Sequence, residues 1–238
     1  MGIIIFNGLS SADYGIKVWQ APTYTIPERD YETVHVPGRD GDLLLDKGSY
    51  KNTTRSYVVS FGRLNKKDFT ILANSLSEWL HSCSGYARLE DSYEPEYYRI
   101  AAYQETNDIT NAYHEAGQTT IKFNCKPQRY LKSGDEVVTF DSAGYLINPT
   151  FFSARPIIKV YGSGNGVLKV GEYTVTITSI DEYIVIDSEI MDAYKDTINC
   201  NAKIKLNGNF PRLDQGTTEI SFSGGITSVE VIPKWWTI

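Results

Sequence analysis

Residues 156–170 read PIIKVYGSGNGVLKV, and this stretch decides the fold class. Two short runs rich in β-branched residues, Pro156 to Tyr161 and Val167 to Val170, flank the glycine-rich segment Gly162 to Gly166. Short runs of this kind, bounded by glycine and asparagine, are typical of antiparallel strands. Because glycine adopts the positive φ angles of tight turns, we predict that residues 162–166 form a hairpin turn between two strands.

The same pattern recurs along the chain and predicts a mostly β protein. In the first half the predicted strands are residues 3–6, 14–19, 31–36, 55–61, 97–104 and 119–125. In the second half they are residues 136–140, 156–161, 167–170, 173–178, 183–186, 202–206, 217–222 and 228–232. Many short strands within about 100 residues predict a β-sandwich or jelly roll for the second half.

One segment has helical periodicity instead. Between Asn65 and His81 the apolar residues recur at helical spacing, namely Phe69, Leu72, Leu76, Trp79 and Leu80. Asn65 is the expected N-cap, Asp68 stands at the N3 position and Gly85 follows the end. We therefore predict one α-helix whose apolar stripe packs on a sheet.

The chain of 238 residues is long enough for two modest domains, at roughly 100–200 residues each. A strand-like run ends in Lys126-Pro127, and Ser133-Gly134-Asp135 opens the next series, so we predict domains at residues 1–132 and 133–238. The first carries 15 basic and 16 acidic residues, a net charge of −1, and the second carries 8 and 13, a net charge of −5. The acidity therefore belongs mostly to the second half.

Composition and charge exclude several classes of protein. Hydrophobic residues make up 41% and aromatic residues 13% of the chain, which is too apolar for a disordered protein. A net charge of −6 argues against a general nucleic-acid binder, because binding to phosphates needs clustered Lys and Arg. We expect no secretory signal, no membrane insertion and three reduced cysteines, and hence synthesis in a cytoplasm.

The candidate chemical sites in the sequence do not match the motifs of known dinucleotide or zinc sites. A strand follows Gly162 to Gly166, so this segment does not match the dinucleotide-binding fingerprint. His81 and Cys83, even with His114 and Cys125, lack the spacing of a zinc site, and we interpret them as a helix-end histidine beside a buried thiol.

Paired carboxylates could serve a glycosidase, as in Asp40-Gly41-Asp42, Glu90-Asp91 and Glu94-Pro95-Glu96. Adjacency in sequence does not define a cleft, so we interpret these carboxylates as solvated loop charges. The tyrosines at positions 93, 97, 98 and 103 are compatible with a core, a protein interface or a sugar platform.

Two stretches of the first half resemble a known family. FNGLSSADYGI at residues 6–16 is followed by VPGRDGDL at residues 36–43, then by the strand at 55–61, the helix and FNCKP at 123–127. This order resembles the N-terminal domain of the distal tail proteins of siphovirus-type bacteriophages. In the second half NPT at 148–150, ARPIIKV at 154–160, LNGNFPRL at 206–213, TEI at 218–220 and PKWW at 233–236 look like the galectin-like C-terminal domain of that family.

The resemblance implies a structural role in the virion tail and no enzyme activity or cofactor. The N-terminal domain would be a β-sandwich or split barrel with one helix, assembling into a homo-hexameric ring that continues the tail tube. The galectin-like jelly-roll sandwiches would project outward. Expected partners are the tail tube protein, a tail-associated hub or lysin protein, and receptor-binding or accessory baseplate proteins; DNA would only pass through the lumen.

The glycine-flanked charges Arg39 and Asp40, with Gly38, Gly41 and Asp42, form the candidate contact between ring subunits. Opposite charges there could pair between neighbours, and the glycines permit close backbone approach; a plain hairpin turn is the other interpretation. Two alternative functions remain. A carbohydrate-binding module recognising host cell-wall sugars is favoured by the sandwich half and the tyrosines, although the second half has no His for a galectin-type sugar site. A hydrolase would need a carboxylate pair or triad.

Overall fold

The computed structural model describes residues 2–61, 66–104, 110–112 and 116–238. The chain divides into two compact units, Met1–Arg129 together with Ile238, and Tyr130–Thr237. We call them the N-terminal and C-terminal units. The prediction of a mostly β fold is confirmed, and the described residues contain one α-helix.

Antiparallel strands form the main sheet of the N-terminal unit, in the order β2-β1-β7-β8-β10-β6-β3, with β9 paired to β10. Their bounds are β1 Ile4–Phe6, β2 Leu9–Ser10, β3 Ile16–Val18, β6 Thr53–Phe61, β7 Ala87–Asp91, β8 Tyr97–Tyr103, β9 Thr110–Ala112 and β10 Ala116–Leu131. The two remaining strands, β4 Arg29–Val34 and β5 Leu43–Tyr50, pair with each other as a separate two-stranded sheet, and with no other strand among the described residues.

The predicted helix is present as α1, Lys66–Leu80. Its apolar stripe packs on the sheet: Leu76, Trp79 and Leu80 are buried in the N-terminal core and Leu72 lies against it. The Trp79 indole stacks on Tyr14 and donates a hydrogen bond to the carbonyl of Leu9 at 3.2 Å. The proposed N-cap Asn65 and the side chains of Asp68 and Phe69 lie outside the described residues. No helix in the described part of the chain is long and apolar enough to cross a membrane.

The C-terminal unit is built on three long strands, each of which continues through a bend. The strands of this unit are β11 Val138–Phe140, β12 Gly144–Asn148, β13 Ile157–Val170, β14 Tyr173–Asp187, β15 Asp192–Lys195, β16 Ile198–Asn199, β17 Ile204–Leu206, β18 Gly216–Ile232 and β19 Trp236–Thr237. Strand β11 pairs with the C-terminal half of β18, whereas β12 pairs with its N-terminal half. The buried apolar side chains of the unit form one core, which includes Trp235.

The prediction of a hairpin turn at residues 162–166 is wrong. These residues lie within β13, where the pairing register with β14 and β18 shifts. The neighbouring strand, β18, also bends at glycines. A Cβ on Gly162 would lie 2.1 Å from the carbonyl oxygen of Gly225 in β18. The glycines are therefore needed because two strands cross closely at the bend, and predicted strand pairs merge into β13, β14 and β18.

Candidate functional site: an exposed hairpin arm

The hairpin formed by β4 and β5, residues 29–50, is almost wholly exposed, and we call it the arm. Three consecutive leucines, Leu43 to Leu45, belong to its second strand, and Leu44 is 60% exposed. An isolated two-stranded hairpin is marginally stable in water, and proteins seldom leave several large apolar side chains together on such an element. The arm therefore has the character of a surface that another polypeptide covers.

Both faces of the arm carry apolar side chains. Thr33 pairs with Leu44 on one face, and on the other face Val34 pairs with Leu43 and Glu32 with Leu45. Because successive side chains of a strand point to opposite faces, the leucines cannot all be covered from one side. A partner would have to contact the arm on both faces.

The predicted contact residues lie in the loop at the tip of the arm. Arg39 N donates to the Val36 carbonyl at 3.2 Å, and Gly38 has a φ of 79°, which defines a type II turn with Pro37 at its second position. Gly41 also needs its positive φ of 77°. The structure places Gly38, Arg39, Asp40, Gly41 and Asp42 together, all exposed.

The charges of this loop differ in their partners. The Asp42 carboxylate contacts Nδ1 of His35 at 3.1 Å, across the neck of the loop. Arg39 and Asp40 have no ion pair within the described part of the chain. The two charges that the sequence singled out are therefore available to a second molecule, while Asp42 is engaged within the arm.

At its base the arm is held by polar contacts. The Arg29 guanidinium donates to Asp46 at 2.8 Å and to the Tyr50 hydroxyl at 3.1 Å. Lys51 N donates to the Glu28 carbonyl at 2.8 Å and its ammonium pairs with the Glu28 carboxylate. These contacts join the two strands where they leave the unit.

A mostly exposed segment, residues 19–28, connects β3 to the arm, and we call it the strap. At its start, Trp19 N donates to the Val58 carbonyl at 3.0 Å and the Trp19 indole donates to the Ser60 hydroxyl. Further along, the Arg55 guanidinium donates to the Thr23 carbonyl, and the Arg129 guanidinium lies 4.7 Å from the centre of the Tyr24 ring. Both arginines belong to a buried ionic cluster. The position of Thr23 and Tyr24 in the strap therefore depends on that cluster.

The ionic cluster joins four strands of the main sheet, and its charged members are Arg55, Asp91, Glu94, Arg99 and Arg129. Glu94 contacts all three arginines, with the Arg99 guanidinium at 2.6 Å, Arg129 at 2.9 Å and Arg55 at 3.1 Å. Asp91 accepts from Arg55 at 2.9 Å and from the Tyr57 hydroxyl at 2.6 Å. Two carboxylates thus hold three guanidinium groups together.

The cluster shifts the ionisation of its members. Burial raises the pKa of Asp91, but the hydrogen bond from Tyr57 and the charge of Arg55 outweigh it and hold that pKa below its ordinary value of 3.8. Burial also raises the pKa of Glu94, and the contacts with Arg99, Arg55 and Arg129 outweigh it and lower that pKa below 4.5. Burial beside Asp91 raises the pKa of Tyr57 well above 10.0.

These directions predict an acid-sensitive N-terminal unit. A carboxylate whose pKa is lower in the folded state contributes stability that is complete above its unfolded-state pKa and is lost as the pH falls toward its folded-state pKa. We therefore expect hydrogen exchange of the β6 and β10 amides to accelerate as the pH falls from about 5 to about 3, after correction for intrinsic exchange. The double variant Asp91→Asn, Glu94→Gln should have a flatter profile. An unchanged protection down to about pH 3 would contradict this prediction.

The interpretation of the carboxylates as solvated loop charges is wrong for Glu94, which contacts three arginines, and for Asp91, whose side chain is 2% exposed. Its partners are arginines and a tyrosine, which keep it ionised, so it is poorly suited to the general-acid role of a glycosidase. Asp40 and Glu96 are exposed, as that interpretation expects. The sequence signal for the cluster was limited to the acidic residues, because its arginines come from distant strands.

The tyrosine-rich stretch is occupied by protein contacts. Arg129 lies over the Tyr97 ring, and Arg88 lies 3.7 Å from the centre of the Tyr98 ring. Tyr103 packs against the buried Phe123. These contacts favour a structural role over a sugar platform.

The helix-end residues do not form a metal site in the described part of the chain. The His81 ring contacts the Ser77 carbonyl and the Tyr103 ring, whereas Cys83 Sγ contacts the backbone of Gly85. Cys125 is buried, and burial raises the pKa of its thiol to about 11. No group of three His, Cys, Asp or Glu side chains comes together among the described residues, and His114 lies outside them.

Comparisons with known proteins establish the fold. No protein-family model and no curated protein matches the chain. Among solved structures, the Dit protein of phage SPP1, described as a paradigm of the hub adsorption apparatus in phages that infect Gram-positive bacteria, matches over 100% of both chains with a TM-score of 0.78 and 12% identity.

Two structures of the phage P2 baseplate in its activated conformation also match. The structure with Ca covers 97% of each chain with a TM-score of 0.54, and the structure with Sr covers 97% of this chain and 96% of that chain with a TM-score of 0.51, each at 10% identity. The resemblance found in the sequence is therefore confirmed at the level of the fold, across the whole chain.

Proposed function

We propose that this protein is a structural hub at the distal end of a phage tail, where six copies form a ring that connects the tail tube to the adhesion apparatus. The observation that carries the proposal is the fold shared with the SPP1 Dit protein over the full length of both chains. A match of this extent includes both compact units and not a single common sandwich. The role is structural, without catalysis or cofactor.

The exposed arm is an argument in favour of ring formation. A closed ring needs two different lateral surfaces on each subunit, because its contacts are head to tail. An exposed arm with leucines on both faces supplies one such surface, which would be covered by the next subunit. In this proposal the ring is formed by residues 1–132.

The remaining parts of the proposal concern the neighbours. The ring would contact the tail tube protein on one side and a tail-associated hub or lysin protein on the other, with DNA passing through the lumen. Residues 133–238 would project outward toward receptor-binding or accessory baseplate proteins. The protein would be made in the cytoplasm of the bacterial host and function in the virion tail.

The test is to image the purified protein and to measure its molar mass in solution. Negative-stain electron microscopy is expected to show rings of six, or two rings stacked, and light scattering coupled to size exclusion should give a mass that grows with concentration toward the hexamer. A strict monomer at millimolar concentration, with no ring in assembled tails, would contradict the proposal.

The alternative of a carbohydrate-binding module receives little support from the C-terminal unit. Its aromatic pair Tyr161 and Tyr183 is half-buried and is covered by Lys159, whose ammonium lies 4.8 Å and 4.2 Å from the two ring centres. The two rings are tilted by 50°, which does not make a flat platform. Saturable binding of cell-wall sugars by the whole protein in calorimetric titration would favour the alternative.

The tip of the arm gives a finer test of the ring. We expect Arg39→Ala to leave the subunit folded and to weaken assembly by about 2–5 kcal/mol per contact, because it truncates one partner of a desolvated charge pair. Circular dichroism checks the fold and particle counts in micrographs measure assembly, with the exposed Lys205→Ala on β17 as the matched control. If Arg39→Ala costs less than about 0.5 kcal/mol and rings form normally, the tip is a solvated turn and lies outside the contact.

A further inference from the structure

The C-terminal unit has an unprotected strand edge that carries apolar side chains. Strand β12 pairs with β18 alone among the described residues, so one of its edges has no partner strand. Tyr145 and Ile147 point away from the core and are 69% and 68% exposed, while Leu146 and Asn148 point inward and are buried. Edge strands usually carry Lys, Pro or a bulge that prevents pairing with another chain, and β12 contains no Lys or Pro.

A rigid loop after β12 adds a third apolar side chain to this edge. The buried amide of Asn148 donates to the carbonyls of Phe152 and Leu213, each at 2.9 Å, and its oxygen accepts from the backbone and the hydroxyl of Thr150. This network closes the loop around Phe151, which is 84% exposed. Buried polar groups therefore hold a large aromatic side chain in solvent, as in a preorganised binding anchor.

The charges around this edge are acidic. Glu219 lies directly across from Tyr145 on β18. Asp141 precedes β12, and Asp214 adjoins its other end, since Leu213 contacts Asn148. All three are exposed and have no ion pair in the described part of the chain. The exposed bases nearby are Arg212, two residues before Asp214, and Lys169, which pairs with Ser221 on β18.

We propose that the edge of β12, with Tyr145, Ile147 and Phe151, is a docking surface for an extended basic segment of a different protein, which adds to the sheet as a strand. Backbone hydrogen bonds to the free edge would give affinity, and alternating apolar side chains of the segment would contact the three anchors. Flanking Lys or Arg residues would pair with Asp141, Asp214 and Glu219. A second copy of this chain is disfavoured, because antiparallel pairing of two β12 edges would bring Asp141 of one copy toward Asp214 of the other.

The test uses the full-length protein and defined peptides. The probe is a fluorescein-labelled peptide, Lys-Lys-Val-Thr-Val-Thr-Val-Lys-Lys. One control peptide replaces Val by Ser and another replaces Lys by Glu. We expect saturable binding of the probe by fluorescence anisotropy, at least about tenfold weaker binding of either control peptide, and protection of residues 144–151 in hydrogen exchange.

Variants of the protein distinguish binding at this surface from nonspecific binding to exposed apolar residues. Phe151→Ser should weaken probe binding at least about tenfold, whereas the matched exposed residue Ile190→Ser should leave it within about twofold. The proposal is overturned if the probe does not bind at millimolar concentration, if the control peptides bind equally, or if Phe151→Ser has no effect. It is also overturned if the protein alone self-associates and Phe151→Ser abolishes that association, since the occupant would then be a second copy. None of these outcomes depends on the ring.

Discussion

Replacement of Glu94 by alanine is expected to lower the free energy of unfolding of the N-terminal unit by about 3–5 kcal/mol. Glu94 holds the guanidinium groups of Arg55, Arg99 and Arg129, and their side chains are only 6%, 10% and 16% exposed. Removal of this carboxylate would leave three poorly hydrated positive charges, with Asp91 as the remaining acidic side chain of the cluster. The decrease in the free energy of unfolding includes the cost of unpaired buried charge and of repulsion between the arginines. It therefore exceeds the free energy that any one ion pair contributes.

The measurement is denaturant unfolding, monitored through hydrogen exchange of the β6 and β10 amides. This readout reports on the N-terminal unit alone. Glu96→Ala is the matched control, because Glu96 lies in the same loop and is exposed; it should cost less than about 0.5 kcal/mol. Glu94→Gln, which keeps the volume and loses the charge, should fall between them and serves if Glu94→Ala does not fold. A loss below about 1 kcal/mol for Glu94→Ala would show that solvent stabilises the arginines.

Leu44→Asp is expected to abolish ring assembly while leaving the subunit folded. Leu44 is exposed in the free chain, so the substitution should change the stability of the subunit by less than about 0.5 kcal/mol. In a ring the new carboxylate would be buried against the next subunit without a partner, and this costs several kcal/mol at each contact. Six such contacts per ring would remove the assembled form at micromolar concentration.

Light scattering coupled to size exclusion, with electron microscopy of the same fractions, measures this effect. Ile190→Asp is the matched control, since Ile190 is 62% exposed in the C-terminal unit and lies outside the arm. Normal rings from Leu44→Asp would exclude the arm from the subunit contact, while the shared fold would still stand. Loss of rings in both variants would indicate a general effect of added charge.

Local features of the chain predicted the helix and several strands. The stripe of Leu72, Leu76, Trp79 and Leu80 predicts α1 because helical packing depends on residues three and four apart. The β-branched and aromatic residues between Arg55 and Phe61 predict β6. Strand β5 was missed because Leu43 to Leu45 have no alternation, and both faces of the arm are exposed.

The bends in the C-terminal unit could not be predicted locally. A glycine-rich segment between two β-type runs is compatible with a hairpin and with a bent continuous strand, since both use the same backbone conformations. At Gly162 the choice depends on the close approach of Gly225, which lies 63 positions further along the chain. Only the assembled sheet decides between the two.

By itself, the sequence determined the β class, the helix α1, the resemblance to distal tail proteins and the charged loop Gly38 to Asp42, because each depends on residue types and short spacings. Tertiary structure alone decided which charges are neutralised and which surfaces remain uncovered. Asp91 and Glu94 look like loop carboxylates until strands from distant parts of the chain bring Arg55, Arg99 and Arg129 against them. Pairing between distant strands fixes burial and charge contacts together, and for that reason the buried cluster, the arm and the free edge of β12 are properties of the folded chain.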